Sequence, residues 1–305
     1  QEYEFQDILA KLLYFETNKL TQDKLISFDQ YIGNMRPEQK EIYYLCAPTR
    51  EAAALSPYLE AFEQRNIEVL FIYTAIDDFV MANLPVYEGR NLVSVEKSSI
   101  DLSVFDDDKD DSGDDDDEKE KKDGDDDDDD DDAKKDADST DDNEKGLEPH
   151  EAMEFCSWMK TALGDDKINS CRPSKRLVSS PAIVTDNESG SMRRMMRMVD
   201  TSEGNRDYAP LPKQNVEINP SHALILGIQR LRTTEPVLAK VLAEQVYDNC
   251  LVAAGLLDDG RTMLPRLNDL MVALVKGADA LEKAQDSSNG SSTSTSSDDD
   301  KTKSP

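Results

Sequence analysis

Residues Glu41–Tyr73 read EIYYLCAPTREAAALSPYLEAFEQRNIEVLFIY, and the order of elements in this stretch decides the fold. The stretch begins and ends with short, almost continuously apolar runs, Glu41–Ala47 and Glu68–Tyr73, a pattern typical of strands buried on both faces. Between them, Thr49 is suited to cap the start of a helix, and Pro57–Gln64 predicts a second helical piece. Two strands separated by helix and joined by short connections predict a parallel sheet with a right-handed crossover.

The rest of the first hundred residues extends this alternation of helices and strands. Periodic apolar positions predict helices at Phe5–Phe15, Leu25–Met35 and Ile76–Leu84. A further apolar run predicts a third strand at Asn91–Glu96. A glycine-rich turn after a strand would indicate a nucleotide-binding site, but APTREAA follows the first strand and TAIDD follows the second. Residues 1–104 therefore predict an α/β domain, and an enzyme active site is the less favoured interpretation.

Residues 105–147 are dominated by aspartate, with eight in a row at Asp125–Asp132. Phe105–Lys145 contains 25 acidic and 7 basic residues, a net charge of −18, which is more than half of the chain's net charge of −30. Ordering a backbone costs roughly 1–2 kcal/mol per residue, and this segment has almost no apolar surface to offset that cost. We therefore predict a disordered acidic insert. Asp108 opens an EF-hand-like pattern, but Lys119 stands where the bidentate glutamate is needed, so no metal site is predicted.

Residues 148–284 mix helices with two short strands and predict an α+β domain. Helices are predicted at Pro149–Leu163, Gly190–Val199, Ala223–Arg232, Pro236–Leu257 and Thr262–Ala284, and strands at Ile168–Cys171 and Lys175–Thr185. The sequence beyond this block is rich in serine, threonine and aspartate, which predicts a disordered tail at residues 285–305.

The composition excludes several classes of protein and of site. The chain lacks the basic footprint of nucleic-acid-binding proteins, and no apolar run approaches the roughly 18 residues of a membrane span. Four widely spaced cysteines fit reduced thiols better than a metal site or a disulfide framework. Neither His150 nor His222 has an evident nucleophile nearby, so no catalytic residue is predicted. The N-terminus resembles the middle of an amphipathic helix, and we therefore expect a fragment of a longer chain.

A methionine-rich stretch, SMRRMMRMVD at Ser191–Asp200, has two interpretations. Met192, Met195 and Met196 share one face of a helix with Val199, so the methionines could fill gaps in a core. Flexible thioethers also re-pack against varied partners, which would make the same face an adaptable surface for apolar segments of other proteins. The spacing alone favours the core interpretation slightly and leaves the second one open.

The two last predicted helices carry wide apolar stripes. Pairs of such helices from two chains would form a four-helix bundle. The alternative is a pair within one chain, packed on the preceding sheet. The stripe positions are Leu238, Val241, Leu242 and Val246 in the first helix and Met263, Leu267, Leu270, Met271 and Leu274 in the second.

Four motifs together resemble the heat-shock protein 90 chaperone family. QKEIYYLCAPTREAAALSPYLEAF (Gln39–Phe62), followed by IEVLFIYTAIDDF (Ile67–Phe79), is similar to the end of the family's middle domain. SKRLVSSPAIVT (Ser174–Thr185) is similar to the strand pair of its C-terminal domain. VEINPSHALI (Val216–Ile225) and YDNCLVAAGLLDDGRTMLPRLNDLM (Tyr247–Met271) resemble the entry to the dimerisation helices and the helix pair itself. The motifs occur in the family's order.

The resemblance implies the C-terminal half of an ATP-driven, dimeric chaperone. Residues 1–104 would be the end of its middle domain, and residues 148–284 its C-terminal dimerisation domain. The partners implied are a second copy of the chain and unfolded or partly folded client proteins. ATP and Mg²⁺ would bind to an N-terminal domain that this sequence does not include, so no cofactor is expected in this fragment. Client contacts are implied at Met192, Met195 and Met196, with Trp158, and dimer contacts at the nine stripe positions.

The resemblance also favours a cellular location. The IYYLCAP and AAGLLDD stretches look closest to the mitochondrial, tumour-necrosis-factor-receptor-associated branch. The chain ends in SDDDKTKSP, which matches neither the cytosolic EEVD-type ending nor a KDEL-type signal. A mitochondrial matrix protein is therefore expected, with a plastid or similar compartment as the alternative. The rival functional hypothesis is a non-catalytic acidic scaffold that binds basic proteins or divalent ions.

Overall fold

The computed structural model describes residues 5–106, 146–202, 210–257 and 259–289. These fall into two compact units, Gln1–Leu256 and Leu257–Pro305. The helices are α1 (Gln6–Ala10), α2 (Phe28–Asn34), α3 (Arg50–Ala54), α4 (Glu60–Gln64), α5 (Ala75–Asn83), α6 (Pro149–Leu163), α7 (Gly190–Ser202), α8 (Ala223–Thr234), α9 (Pro236–Ala253) and α10 (Leu264–Asn289). The strands are β1 (Tyr14–Thr17), β2 (Ile26–Ser27), β3 (Glu41–Cys46), β4 (Leu70–Ile72), β5 (Val86–Tyr87), β6 (Arg90–Ser94), β7 (Ile168–Pro173), β8 (Ala182–Thr185) and β9 (Gln214–Ile218).

The first sheet has six strands in the order β2-β1-β4-β3-β6-β5. Strand β3 pairs in parallel with both β4 and β6, which confirms the parallel arrangement predicted for these three strands. The remaining three strands pair in antiparallel fashion, so the sheet is mixed. Thr49 caps α3 as predicted, because its Oγ1 accepts a hydrogen bond from the Ala52 N–H at 3.2 Å.

The prediction of a helix at Phe5–Phe15 was wrong in its second half. Helix α1 ends at Ala10, and Tyr14–Thr17 forms β1 instead. The burial of β1 alternates, with Phe15 and Thr17 facing inward, and this period of two was hidden in the sequence by the neighbouring leucines. The predicted helix at Leu25–Met35 likewise starts with a strand, and α2 begins only after Ser27, which forms a capping box.

Both faces of the first sheet are covered, as the apolar runs predicted. Ile42 and Tyr44 point into one core cluster, and Tyr43 and Leu45 point into the other. The second cluster includes Phe105, which is 3% exposed, although it was predicted to open the disordered insert. The folded part therefore extends into the predicted 105–147 segment, and residues 107–145 lie outside the described residues.

The second sheet has three strands in the order β7-β9-β8, with β9 parallel to β7 and antiparallel to β8. Strand β9 was missed, because no element was predicted at Gln214–Ile218 and Val216–Ile225 was identified only as similar to a helix entry. The strand predicted at Lys175–Thr185 forms only at Ala182–Thr185. Its first half is a turn instead, and the backbone N–H groups of Val178, Ser179 and Ser180 donate to the carboxylate of Glu60 on α4. Helix α6 packs against β7, and α9 packs against α6, α8 and β8.

The unit Leu257–Pro305 consists, in its described part, of a 3₁₀ turn and α10. Pro265 lies in the first turn of α10, where a missing N–H breaks no helical hydrogen bond. The helix reaches Asn289 and so enters the segment 285–305 that was predicted as a disordered tail. Among the described helices, none is long and apolar enough to cross a membrane.

Candidate interaction surfaces

Helix α7 carries the methionine-rich stretch and is fixed at its first turn. It packs against α5, and Gly190 lies so close to the end of α9 that an added Cβ would stand 2.7 Å from the carbonyl carbon of Gly255. Arg194 donates from Nη1 to the carbonyl oxygen of Gly255 at 2.9 Å. The close approach of two glycines and one charged hydrogen bond therefore anchor the start of the helix.

The three methionines predicted to contact clients lie at different depths. Met192 and Met195 are partly buried, whereas Met196 is 50% exposed. Val199, one turn further along, is 51% exposed. The first turn of this helix is therefore packed, and an apolar strip beyond it faces outward, while contact with clients stays a prediction.

Trp158 lies on a different helix, α6. Its ring centroid is 5.6 Å from that of Phe155, and the Arg232 guanidinium lies 5.2 Å from the Trp158 ring centroid. A cation over an indole ring at this distance is a stabilising contact. The partners that the structure gives Trp158 are thus residues of α6 and α8.

A single carboxylate, that of Glu60 on α4, holds the turn before β8. Glu60 accepts from the backbone N–H groups of Val178, Ser179 and Ser180 at 2.8, 2.9 and 3.3 Å. It also accepts from the hydroxyls of Ser179, at 2.8 Å, and of Ser180. Burial would raise the pKa of this carboxyl, but the hydrogen bonds from Ser180, Val178 and Ser179 outweigh burial and hold the pKa below its ordinary value.

A second carboxylate, that of Glu217 on β9, gathers two arginines. Its side chain is 5% exposed and accepts from Arg172 Nη2 at 2.6 Å, Arg176 Nε at 3.2 Å and Ser174 Oγ at 2.9 Å. Arg176 also donates from Nη1 to the carbonyl oxygens of Val95 and Lys97, at 3.1 and 2.9 Å. This cluster and the Glu60 contacts join the second sheet to the first.

The predicted dimer positions on α9 and α10 differ in exposure. On α9, Val246 is buried and the other three are partly buried: Leu238, Val241 and Leu242. On α10, Met263 in the preceding turn is buried, Leu267 and Leu270 are partly buried, and Met271 and Leu274 are 55% and 74% exposed. Further exposed apolar side chains on α10 are Leu264, Val272 and Val275. A contiguous apolar strip of this kind on a helix is typical of an association surface.

The helix starts that follow the parallel strands do not fit a nucleotide. Phosphate binding at a helix N-terminus needs free backbone N–H groups and favours positive charge. Thr49 and Thr74 occupy these positions by accepting from the N–H groups of Ala52 and Asp77, each at 3.2 Å. Glu51 and Asp77 place negative charge in the same first turns. Among the described residues, no group of three or more His, Cys, Asp or Glu side chains is arranged to hold a metal ion.

A family model described as "Hsp90 protein" matches residues 1–304. The chain belongs to the Hsp90 family. It is 34% identical over 277 residues to the TNF receptor-associated protein 1 homolog, mitochondrial, of Dictyostelium discoideum, a match that covers 90% of the chain and 34% of that protein. It is 36% identical over 271 residues to the heat shock protein 75 kDa, mitochondrial, of Rattus norvegicus, covering 89% and 34%. It is 35% identical over 267 residues to the chaperone protein HtpG of Desulfitobacterium hafniense, covering 87% and 37%. The chain thus spans about a third of the length of these relatives.

Sequence reasoning missed the charged residues that join the two sheets of this Hsp90 chain. Glu60, Glu96 and Glu217 are separated from their partners by long stretches of sequence. One signal was present: Glu217 stands between Val216 and Ile218 in an otherwise apolar run. A single charge inside such a run indicates a buried ion pair, because a buried charge without a partner is strongly unfavourable.

Proposed function

We propose that this chain is the C-terminal half of an ATP-dependent chaperone of the Hsp90 type, and that it holds two protomers together and contributes to client binding. The observation that carries the proposal is the family match over residues 1–304, since relatives matched over almost all of the chain are named as chaperones or heat shock proteins. Full-length members of the family are ATPases. ATP and Mg²⁺ are assigned to a part of the parent protein outside this sequence.

The dimer contact is assigned to the exposed apolar strip of α10 and to the predicted dimer positions on α9. Leu274 is 74% exposed, so Leu274→Asp disturbs no core and acts only on association. A carboxylate placed in an apolar interface is left without a partner when the interface forms. The variant should therefore be monomeric at low micromolar concentration in light scattering, where the wild type is dimeric.

The matched control for this experiment is Ala273→Asp. Ala273 is also exposed, and the change adds the same charge to the residue just before Leu274 on the same helix, which lies on a different face. This control should remain dimeric. If Leu274→Asp and Leu270→Asp are both fully dimeric at these concentrations, the assignment of the dimer contact to α10 is wrong.

The client contact is assigned to the outward strip of α7. Met196→Glu should reduce the ability of the chain to suppress aggregation of an unfolded client protein, because it places a charge where apolar client segments would pack. The control is Met153→Glu on α6, since Met153 is exposed to a similar degree, 55% against 50%. Equal suppression by the two variants would contradict the assignment, and loss of client protection only on deletion of the acidic segment would favour the scaffold hypothesis.

The cellular location is assigned to mitochondria, because the matched Dictyostelium, rat and bovine relatives are named as mitochondrial proteins. Fractionation of cells that express the full-length parent protein tests this assignment. Recovery with plastid or cytosolic markers would contradict it.

A further inference from the structure

A cavity of about 560 Å³ lies between the loop that follows β6 and the end of β7. Residues 98–103 and Asp106 form one wall, and residues 172–176 form the other, together with Arg65 and Glu217. Its volume falls in the range of small-molecule sites, about 300–1,000 Å³. None of the predicted client or dimer positions, all of which the structure describes, lines this cavity. It is therefore separate from the surfaces assigned to clients and to the dimer.

Each of the three carboxylates on the walls already has partners. Asp106 accepts from Arg65 Nε at 2.8 Å. Asp101 accepts from the N–H and from the hydroxyl of Ser103, at 3.0 and 2.6 Å. Glu217 accepts from two arginines and one serine, at 2.6 to 3.2 Å. The negative charges of the walls are therefore held by groups of the chain itself.

Two exposed donors on the same walls have no such partner. The ammonium of Lys175 makes no hydrogen bond or ion pair within the described residues, and it acts on Asp101 only through space. The hydroxyl of Ser99, on the opposite wall, likewise makes no hydrogen bond in the part of the chain that the structure describes. A positive charge and a hydroxyl thus face the cavity from its two sides without an acceptor.

Two arginines of the walls also have unused donors. Arg172 donates from Nε and Nη2 to Glu217 and from Nη2 to the carbonyl oxygen of Ser98, so its Nη1 has no acceptor among the described residues. Its side chain is 50% exposed and is accessible to a ligand. Arg176 uses Nε and Nη1, but its buried Nη2 has no acceptor within 5–106, 146–202, 210–257 and 259–289. A buried donor without a partner is unfavourable and indicates an acceptor from outside the chain.

We propose that this cavity binds a small organic molecule through a phosphate group. The walls lack acceptors and not donors, so the ligand that completes them is an anion with several oxygens. A phosphate group supplies three strong acceptor oxygens and forms paired hydrogen bonds with a guanidinium. Apolar surface from Ile100, Leu102 and Pro173 lies in the same cavity. Inorganic phosphate would leave that surface uncovered, whereas the body of an organic molecule would pack on it.

The two walls belong to different sheets. Ser99 follows the last parallel strand of the first sheet, and Arg172 and Lys175 lie at the end of β7 and just beyond it in the second. A phosphate group held by all three therefore links the sheets and stabilises their contact. This site does not rest on the chaperone function proposed above, and its test involves neither a client nor the dimer.

The test measures binding of phenyl phosphate to the whole chain by isothermal titration calorimetry, in a phosphate-free buffer of low ionic strength. Inorganic phosphate and benzyl alcohol serve as probes of the anion alone and of an apolar body alone. Phenyl phosphate should bind more tightly than either probe, and it should raise the midpoint of thermal unfolding, because a ligand of the folded state stabilises that state. Absence of phenyl phosphate binding at millimolar concentration overturns the proposal. Inorganic phosphate that binds equally tightly overturns the assignment of an organic ligand.

Two variants and a matched control locate the site. Lys175→Gln should weaken phenyl phosphate binding about tenfold or more, because a hydrogen bond to a charged group contributes a factor of this size. Ser99→Asp places a carboxylate among the same donors and should abolish binding. Lys40→Gln removes the same charge at an exposed position outside the cavity and should keep the wild-type affinity. Equal affinities of Lys175→Gln and Lys40→Gln, or wild-type binding by Ser99→Asp, would overturn the proposal.

Discussion

Glu217→Gln should be among the most destabilising isosteric changes in this protein. The glutamine retains one oxygen for the arginines, but it removes the negative charge and turns an NH₂ group toward guanidinium donors. Arg176, whose side chain is 11% exposed, then remains in the interior without an anion. Arg172 is 50% exposed and returns to water at little cost.

The expected magnitude follows from this difference in exposure. Removing one partner of a buried ion pair typically costs about 3–5 kcal/mol. Only Arg176 is held away from water here, so the lower end applies. We expect a loss of about 3 kcal/mol in the free energy of unfolding, which is roughly a hundredfold in the folding equilibrium.

Urea unfolding followed by tryptophan fluorescence measures this loss. The chain has one tryptophan, Trp158 on α6, and α6 packs against β7, the strand that carries Arg172. The midpoint should move down by roughly 1–2 M urea at an ordinary slope, with the slope unchanged. Glu63→Gln makes the same chemical change at an exposed position and should stay within about 0.5 kcal/mol of the wild type.

A second variant tests the reason as well as the size. If the cost comes from an isolated buried cation, adding Arg176→Met to Glu217→Gln should recover part of the stability, because no unpaired charge then remains. A loss below about 1 kcal/mol for Glu217→Gln would refute the reasoning. So would a double variant whose loss of stability equals the sum of the losses of Glu217→Gln and Arg176→Met made singly.

Two further changes test the contacts that hold the two sheets and α7. Glu60→Gln should lower the free energy of unfolding by about 2 kcal/mol, because charge-assisted hydrogen bonds from three N–H groups are lost. The pKa of Glu60 is lowered in the folded state. The difference from the wild type, measured by urea unfolding, should therefore be present above about pH 5 and vanish as pH falls through the folded pKa. Gly190→Ala should detach the start of α7 from Gly255 and speed tryptic cleavage after the arginines of α7. The control is Gly227→Ala, where no atom lies within 4 Å of the added Cβ, and it should leave the cleavage rate unchanged. Equal cleavage rates in both variants would show that the glycine contact does not anchor α7.

The predictable part of the fold is the part decided by local pattern. Strands β3 and β4 are apolar at every central position, because residues such as Ile42 and Tyr43 face opposite, equally dry cores. Such a run is recognisable without knowledge of its neighbours. Helix α6 was placed at Pro149–Leu163 correctly, because Pro149 starts it and Gly164, with φ of +100°, ends it.

The part that local pattern did not reveal depends on partners that are distant in sequence. Strand β1 is only four residues long and becomes a strand because Glu16 and Thr17 pair with β4, more than fifty residues away. The turn at Val178–Ser180 appeared strand-like, since nothing nearby indicates that its N–H groups are taken by Glu60. Local propensity gives way to tertiary contact at such positions.

The contacts between the sheets explain how one chain accommodates the aspartate-rich segment. Glu60 with Ser179, and Arg176 with Val95, join residues on either side of it and do not involve it. These contacts between the sheets are therefore made without any residue between Asp106 and Gly146.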